Sequence, residues 1–144
     1  MQEQQESTKL LTLLMGKRIL LAEDNELNAE IAITILEEEG LKVEWAEDGI
    51  KCLEMLKKVP EDYYDMILMD IQMPNMDGYR TTEEIRSLPD KRAQIPIVAM
   101  TANVFDEDKK KAYEAGMNGY IAKPIDTKAI FSTLGEILQE KSEN

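Results

Sequence analysis

The stretch DMILMDIQMPNMDGY, residues 65–79, joins a short apolar run to a carboxylate and a turn. Residues 66–69 form an uninterrupted apolar run of strand length, which is typical of a strand buried on both faces of a parallel sheet. Asp70 follows directly, and Pro74 and Gly78 indicate a loop immediately afterwards. The stretch therefore predicts a central strand that carries a carboxylate to the edge of a sheet.

Strand-length runs and segments of helical spacing alternate along the rest of the chain, which is typical of a parallel α/β sheet. The predicted strands are 17–24, 42–46, 65–70, 95–101 and 119–123, and the predicted helices are 27–39, 49–58, 78–87, 105–115 and 126–140. Gly40 and Gly116 follow two of the helices, where left-handed caps are common. Because parallel crossovers are right-handed, the pattern predicts a doubly wound, three-layer (βα)5 sandwich.

The length of 144 residues favours a single domain with one hydrophobic core. We expect this domain to span residues 17–144. Residues 1–16 do not fit the alternation and are interpreted as an N-terminal extension or linker. Within it, residues 10–15 are apolar enough to need a packing partner.

Composition excludes several classes of function. Acidic residues outnumber basic ones by 29 to 17, and the net charge of -12 disfavours direct binding of nucleic acid. No apolar run has membrane-spanning length and no signal peptide is recognisable, so we expect a cytoplasmic domain without membrane contact. The single cysteine, Cys52, excludes an internal disulfide, and the absence of histidine excludes serine-hydrolase triads and phosphorylation on histidine within this chain.

Polar side chains stand where the predicted strands end, and in an open parallel sheet ligands bind at those carboxyl ends. The residues are three acids, a hydroxyl and an amine: Glu23, Asp24, Asp70, Thr101 and Lys123. Neighbouring carboxylates repel one another unless a cation neutralises them, and an all-oxygen set suits Mg²⁺. Since Mg²⁺ commonly shares its coordination with phosphate oxygens, Asp70 is the candidate nucleophile for a phosphoryl group. Lys123 and Thr101 would hold that group's oxygens. Each residue alone could be an ordinary strand-end cap or surface charge, but four strand ends agree.

Four stretches carry a resemblance to a known family. They are ILLAEDNELN, LMDIQMPNMDGY, PIVAMTANV and GYIAKPI. Through them, residues 17–140 resemble a response-regulator receiver domain of two-component phosphorelays, of the type found in hybrid sensor histidine kinases. The resemblance implies a flavodoxin-like fold with strand order 2-1-3-4-5.

The resemblance also implies a metal site for Mg²⁺ or Mn²⁺ around the phosphoacceptor, Asp70. Asp24 would bind the metal directly and Glu23 through water, while the backbone carbonyl of Gln72 would complete the protein's share of the coordination. Glu23 stands where many members of the family carry aspartate, so here a longer side chain reaches the metal's waters.

Three further roles follow from the same resemblance. Thr101 and Lys123 would contact phosphoryl oxygens, and the peptide bond between Lys123 and Pro124 would be cis. Tyr120 occupies the position of the family's aromatic switch, in which Thr101 moves toward the phosphoryl group and the ring turns inward. A tyrosine that simply packs its ring at a strand edge explains the sequence equally well.

A receiver domain without histidine needs a phosphohistidine donor in trans, either a histidine kinase dimerisation domain or a histidine phosphotransfer domain. Apolar residues cover well over half the circumference of the first predicted helix, more than one core-facing stripe requires. We therefore predict that its part around Asn28, Ile31, Ala32 and Ile35 docks the donor. Burial of this surface against residues 10–15 is an equal alternative.

The favoured function is that of a phosphoacceptor domain, part of a hybrid histidine kinase, which is not an enzyme beyond its own phosphorylation and dephosphorylation. A haloacid-dehalogenase-type phosphatase also uses an aspartate after an apolar strand. Its motif requires a second acid two residues later, where this chain has Gln72. A pseudoreceiver that binds partners without phosphorylation is the third possibility, which the complete set of acids, hydroxyl and amine disfavours.

Overall fold

The structure is a computed structural model that describes residues 14–102, 106–123 and 125–143. In chain order the strands are β1 (Arg18–Ala22), β2 (Lys42–Ala46), β3 (Met66–Asp70), β4 (Ile97–Thr101) and β5 (Gly119–Ala122). The helices are α1 (Glu26–Glu38), α2 (Gly49–Lys57), α3 (Gly78–Arg86), α4 (Asp106–Ala115) and α5 (Thr127–Glu143). A short 3₁₀ helix, Lys91–Gln94, precedes β4.

All five strands are parallel and lie in the order β2-β1-β3-β4-β5. The central strand is β3, in which every residue from Met66 to Asp70 is buried. The predicted doubly wound sheet and its strand order are therefore confirmed. The apolar run in the opening stretch has the environment expected of it, since helices cover both faces of a parallel sheet.

The core has two layers, one on each face of the sheet. One layer joins the sheet to α1 and α5 through residues such as Leu21, Leu36, Leu68 and Leu134. The other joins it to α2, α3 and α4, and it contains the buried thiol of Cys52. Burial raises the pKa of this thiol to about 12, in agreement with a residue that acts as a small core hydrophobe.

The predicted elements are all present, with small differences at their ends. The first strand ends at Ala22 rather than at 24, because the chain turns at the sheet edge after the Glu23 amide has donated to the Ala46 carbonyl at 3.1 Å. The 3₁₀ helix was not predicted. It is fixed locally by the Asp90 side chain, which accepts from the Arg92 amide at 3.0 Å. Gly40 and Gly116 have φ of +89° and +107°, as predicted for left-handed caps.

The residues just before β1 pack against the domain near the amino ends of the strands. Leu14 is fully buried in the core layer next to α1 and α5, although it lies in the predicted extension. The Gly16 amide donates to the Gly40 carbonyl at 3.0 Å. At least one residue before position 17 thus belongs to the packed core, while the proposed boundary between extension and domain stays a prediction.

A polar cluster, called here the amino-edge cluster, lies near the amino ends of β1 and β3. The carboxylate of Glu44 accepts from the hydroxyls of Tyr63 and Tyr64 at 2.7 and 2.8 Å. The guanidinium of Arg18 lies 3.7 Å from Glu44 and 4.0 Å from the centre of the Tyr63 ring. Every group in the cluster named here therefore has a partner that matches its charge or hydrogen-bonding capacity.

Among the described residues, no helix combines the length and the apolar character needed to cross a membrane.

Candidate functional site

The carboxyl ends of β1, β3, β4 and β5 meet at a cleft of about 260 Å³. Its walls are formed mainly by polar residues from the strand ends, the segments that follow them and the start of α1: Glu23, Asp24, Asn25, Asn28, Asp70, Gln72, Thr101, Ala102 and Lys123. The structure thus brings together all five residues that the strand-end pattern selected. It adds Gln72, which the resemblance had placed in the metal's coordination.

Three carboxylates form the floor of this cleft. Glu23 and Asp70 are buried, at 2% and 5% exposure, while Asp24 is exposed. One oxygen from each can be chosen so that the three lie within 4.8 Å of one another. Hard oxygen ligands at this spacing, without histidine or cysteine, fit a divalent cation such as Mg²⁺.

Lys123 supplies the positive charge that faces these acids. Its Nζ lies 2.8 Å from Glu23 Oε2 and 3.0 Å from Asp70 Oδ2. Burial lowers the pKa of Lys123, but hydrogen bonds with Glu23 and Asp70 outweigh this effect and leave the pKa raised. The amine therefore stays protonated, and the three carboxylates retain an excess of negative charge.

The carboxyl group of Asp70 is held from two sides. Its Oδ1 accepts from the Gln72 amide at 3.2 Å, and its Oδ2 accepts from Lys123. Burial raises the pKa of Asp70, the hydrogen bond from Lys123 lowers it, and the charge of Glu23 raises it again, with a net value of about 7. A carboxyl group whose pKa is raised this far, chiefly by burial, is a functional-site candidate.

The loop after β3 is shaped by a close backbone approach. A Cβ on Gly78 would lie 2.5 Å from the Asp70 carbonyl oxygen, so only glycine fits there, and the Gly78 amide donates to the Ile71 carbonyl at 2.8 Å. Asp77 caps α3 by accepting from the Arg80 amide at 2.8 Å.

Sequence reasoning missed one residue that supports the acids. The indole Nε1 of Trp45, on β2, donates to the backbone carbonyl of Glu23 at 2.7 Å. The only available signal was register, because Trp45 pairs with Leu21 two residues before Glu23. This bond fixes the turn that directs the Glu23 side chain, which also accepts from the Asn25 amide at 3.2 Å, into the cleft.

Tyr120 lies on β5 and is half-buried beside the core layer that includes α4. The Tyr113 ring meets it edge-on with centroids 6.3 Å apart, and Lys109 Nζ lies 4.8 Å from its centre. Two residues of α4 thus hold the ring of the predicted switch. Pro124 lies outside the described residues, so the cis bond stays a prediction.

The exposed residues of α1 differ in part from those of the predicted docking face. Ala32 is 1% exposed and packs in the core, so its assignment to a partner-binding face was wrong. Ile31 is 45% exposed, while Asn28 and Ile35 are partly buried. Leu27, which the prediction omitted, is 65% exposed. Because apolar residues cover well over half of the circumference of the helix, its sequence did not distinguish the inward side from the outward side.

Comparison with known proteins assigns the family. Residues 19–135 match the response regulator receiver domain family, so the chain belongs to that family. Its fold and its acidic cleft are those of a receiver domain of two-component signalling, and the phosphatase and pseudoreceiver alternatives are not favoured.

Similar curated proteins are histidine kinases that are much longer than this chain. The chain is 44% identical over 130 residues to histidine protein kinase 1 of Candida albicans, covering 83% of this chain and 5% of that protein. It is 36% identical over 145 residues to probable histidine kinase 4 of Oryza sativa subsp. japonica, covering 88% and 14%. The chain therefore spans only a small part of the length of these relatives.

Solved structures show the same fold. The receiver domain of a sensor histidine kinase from Pseudomonas aeruginosa PAO1, which has a magnesium ion coordinated in its active-site cleft, is 38% identical with a TM-score of 0.72. The alignment covers 87% of this chain and 96% of that one. A response regulator from Chloroflexus aurantiacus is 27% identical with a TM-score of 0.79, covering 86% and 98%.

Proposed function

We propose that this chain accepts a phosphoryl group on Asp70 from a phosphohistidine presented in trans. The observation that carries the proposal is the buried carboxylate of Asp70 at the centre of the cleft, beside two further acids and the Lys123 ammonium. In the transfer, a carboxylate oxygen of Asp70 forms a bond to phosphorus as the bond from phosphorus to the imidazole nitrogen breaks. The imidazole leaves with that electron pair.

The residues that would hold the metal are Glu23, Asp24, Asp70 and, through its backbone carbonyl, Gln72. A bound Mg²⁺ or Mn²⁺ would neutralise the negative charge that the phosphoryl oxygens and the carboxylates bring together. The mutual distances of the three carboxylates and the magnesium ion in the related Pseudomonas receiver domain support this assignment.

Lys123 and Thr101 would position the phosphoryl group. Lys123 Nζ already contacts Asp70 Oδ2, so a phosphoryl group attached to this carboxyl lies within reach of the same ammonium. Thr101 ends β4 at the cleft wall, where its hydroxyl can hydrogen-bond to an oxygen of the group. Both residues lower the barrier by stabilising charge and fixing orientation.

Tyr120 would transmit the event to the surface. A displacement of Thr101 toward the phosphoryl group would change the packing on β4 next to Tyr120, since Ala99 and Tyr120 are register partners. The edge contact with Tyr113 and the ammonium of Lys109 stabilise the present ring position. The switch therefore includes α4, whose surface would differ between the two states.

The donor would be a histidine kinase dimerisation domain or a histidine phosphotransfer domain, and the parent protein a cytoplasmic hybrid histidine kinase. Support comes from the histidine kinases among the relatives. On α1, Leu27 and Ile31 lie one helical turn apart and are both exposed, beside Asn28 at the cleft. These residues and Ile35 form the proposed docking face. Apart from its own phosphorylation and dephosphorylation, the chain would catalyse nothing.

Intact-mass measurement after incubation with phosphoramidate and Mg²⁺ tests the central proposal. Wild type should gain one phosphoryl group and Asp70→Asn none. Asp62→Asn, a neutralised exposed aspartate in the loop before β3, is the control and should behave as wild type. Phosphorylation that persists in Asp70→Asn, or that never occurs in wild type, would refute the assignment.

The docking face has a matched control on α2, which packs on the opposite face of the sheet. Ile31 on α1 and Ile50 on α2 are isoleucines of similar exposure, 45% and 42%. Ile31→Glu should slow transfer from a phosphorylated histidine phosphotransfer domain and leave phosphorylation by phosphoramidate unchanged. Ile50→Glu should alter neither rate. Equal rates for the two variants with the protein donor would exclude α1 as the docking face.

A further inference from the structure

A second cavity of about 660 Å³, called here the side groove, opens beside the cleft. The two cavities share Asp24, Gln72 and Thr101, so the side groove adjoins the cleft that contains Asp70. Its remaining lining residues come from the loop after β3, the start of α3 and α4: Ile71, Met73, Asp77, Tyr79, Asp108 and Lys111. A small molecule can therefore approach Asp70 by a path that avoids the proposed docking face on α1.

The walls of the side groove are predominantly negative. Among the lining residues that the structure describes, Asp24, Asp77 and Asp108 contribute three carboxylates and Lys111 contributes one amine. The pKa of Tyr79 responds to this negative charge. Burial raises the pKa of its hydroxyl, and the charges of Asp108 and Asp77 raise it further. Asp24 belongs to the proposed metal site, which leaves Asp77 and Asp108 without a role in the chemistry.

We propose that Asp77 and Asp108 repel small anionic phosphodonors from the side groove, so that the domain discriminates against free phosphodonors in favour of a protein-bound phosphohistidine. This inference rests on the proposed function. A free dianion such as acetyl phosphate makes no docking contact that would offset the repulsion from each carboxylate. A protein donor gains contact energy from docking on α1, and its phosphoryl group enters through the cleft. The two carboxylates then act by charge, without touching the phosphoryl group.

The reaction with acetyl phosphate is a useful probe because it uses the same acceptor. An oxygen of Asp70 bonds to phosphorus, the bond from phosphorus to the acyl oxygen breaks, and acetate leaves with the electron pair. The reaction with acetyl phosphate differs from transfer between proteins in the route by which the donor reaches Asp70. A change in groove charge should therefore alter this rate selectively.

The test compares two double variants with the same change in net charge. Asp77→Asn/Asp108→Asn neutralises the groove, and asparagine keeps the capping ability of residue 77. Glu61→Gln/Asp62→Asn neutralises two exposed acids in the loop before β3, which lies at the opposite edge of the sheet. The measured quantity is the rate constant of phosphorylation, followed by intact mass at saturating Mg²⁺ with acetyl phosphate well below saturation.

At low salt the groove variant should react about three- to tenfold faster than wild type with acetyl phosphate, and the advantage should disappear near 1 M salt. The control variant should change by less than about twofold, as should the groove variant with a phosphorylated histidine phosphotransfer domain. Urea unfolding of both variants checks that they are folded, and Asp108→Asn alone should give an intermediate rate.

Three results would overturn the inference: no acceleration in the groove variant, an equal acceleration in the control variant, or an equal acceleration with both donors. Failure of the proposed function looks different. In that case wild type would accept a phosphoryl group from neither donor, whereas failure of this inference alone leaves wild-type phosphorylation intact.

Discussion

Acidic side chains lie both near the amino ends of the strands, here the amino edge, and at their carboxyl ends, here the carboxyl edge. Their negative charges are neutralised by neighbouring groups to different degrees. In the amino-edge cluster, the one carboxylate of Glu44 receives two tyrosine hydroxyls and faces the Arg18 guanidinium. At the carboxyl edge, the carboxylates of Glu23, Asp24 and Asp70 lie within 4.8 Å of one another, and the ammonium of Lys123 contacts only Glu23 and Asp70 among these three. Acids that only stabilise a fold are satisfied within it, whereas the acids of the cleft keep an excess of charge that a cation and a phosphoryl group can use.

The largest expected effect concerns the amino edge. Leu14→Ala should lower the free energy of unfolding by about 2–5 kcal/mol, because it opens a cavity where the chain enters the core. Met15→Ala is the control, since Met15 is 64% exposed, and it should cost less than about 0.5 kcal/mol. Urea denaturation measures both. Equal losses would show that Leu14 does not belong to the core.

The second prediction is that neutralising an acid at each edge changes the free energy of unfolding in opposite directions. Without divalent cations at pH 8, Asp70→Asn should stabilise the protein by about 1–3 kcal/mol, whereas Glu44→Gln should destabilise it by about 1–2 kcal/mol. The pKa of Asp70 is raised to about 7, so its favourable contribution to stability is present at low pH and is lost as the pH rises through 7. Urea unfolding in EDTA measures both changes. If both substitutions shift stability in the same direction, the comparison between the edges fails.

The third prediction concerns metal binding. Asp24→Asn should weaken Mg²⁺ binding by at least about tenfold, because it removes one of the three carboxylates from the proposed site. Asp62→Asn makes the same chemical change at an exposed position outside the cleft and should leave the affinity within about twofold of wild type. Titration calorimetry gives both affinities. An Asp24→Asn variant that binds Mg²⁺ normally would contradict the proposed site.

The smallest expected effect is that of Trp45→Phe. Loss of the hydrogen bond to the Glu23 carbonyl should weaken Mg²⁺ binding a few-fold, equivalent to about 0.5–1.5 kcal/mol. Tyr64→Phe removes one of the hydrogen bonds that Glu44 accepts in the amino-edge cluster. It should lower the free energy of unfolding by a similar amount and leave the Mg²⁺ affinity unchanged. A weaker affinity in both variants would indicate a general loss of stability rather than support of the acids by Trp45.

The strand order was implied by the family resemblance. The sequence patterns themselves were sufficient to predict two features: the alternating α/β sheet, and the acids, hydroxyl and amine that meet in the cleft. Both depend on rules that act over short segments: the apolar run before Asp70 identifies a buried strand, and the ends of parallel strands meet at one edge. Glu23, Asp24, Thr101 and Lys123 could therefore be placed beside Asp70 without knowledge of any distance.

Contacts between distant elements could not be predicted in this way. The bond from Trp45 to Glu23 and the bonds from Tyr63 and Tyr64 to Glu44 depend on register and side-chain direction, neither of which leaves a local pattern. The orientation of α1 was equally inaccessible. Since apolar residues cover well over half of the circumference of this helix, only packing decides that Ala32 faces the core.

The bond between Trp45 and Glu23 also gives the protein an internal optical probe. Trp45 is the only tryptophan of the chain, so all indole emission arises from one ring whose nitrogen is bonded to the backbone of a proposed metal ligand. Movement of Glu23 on cation binding would alter the polarity around that ring and hence its emission. Stopped-flow fluorescence could then follow the arrival and departure of the cation in the unlabelled protein.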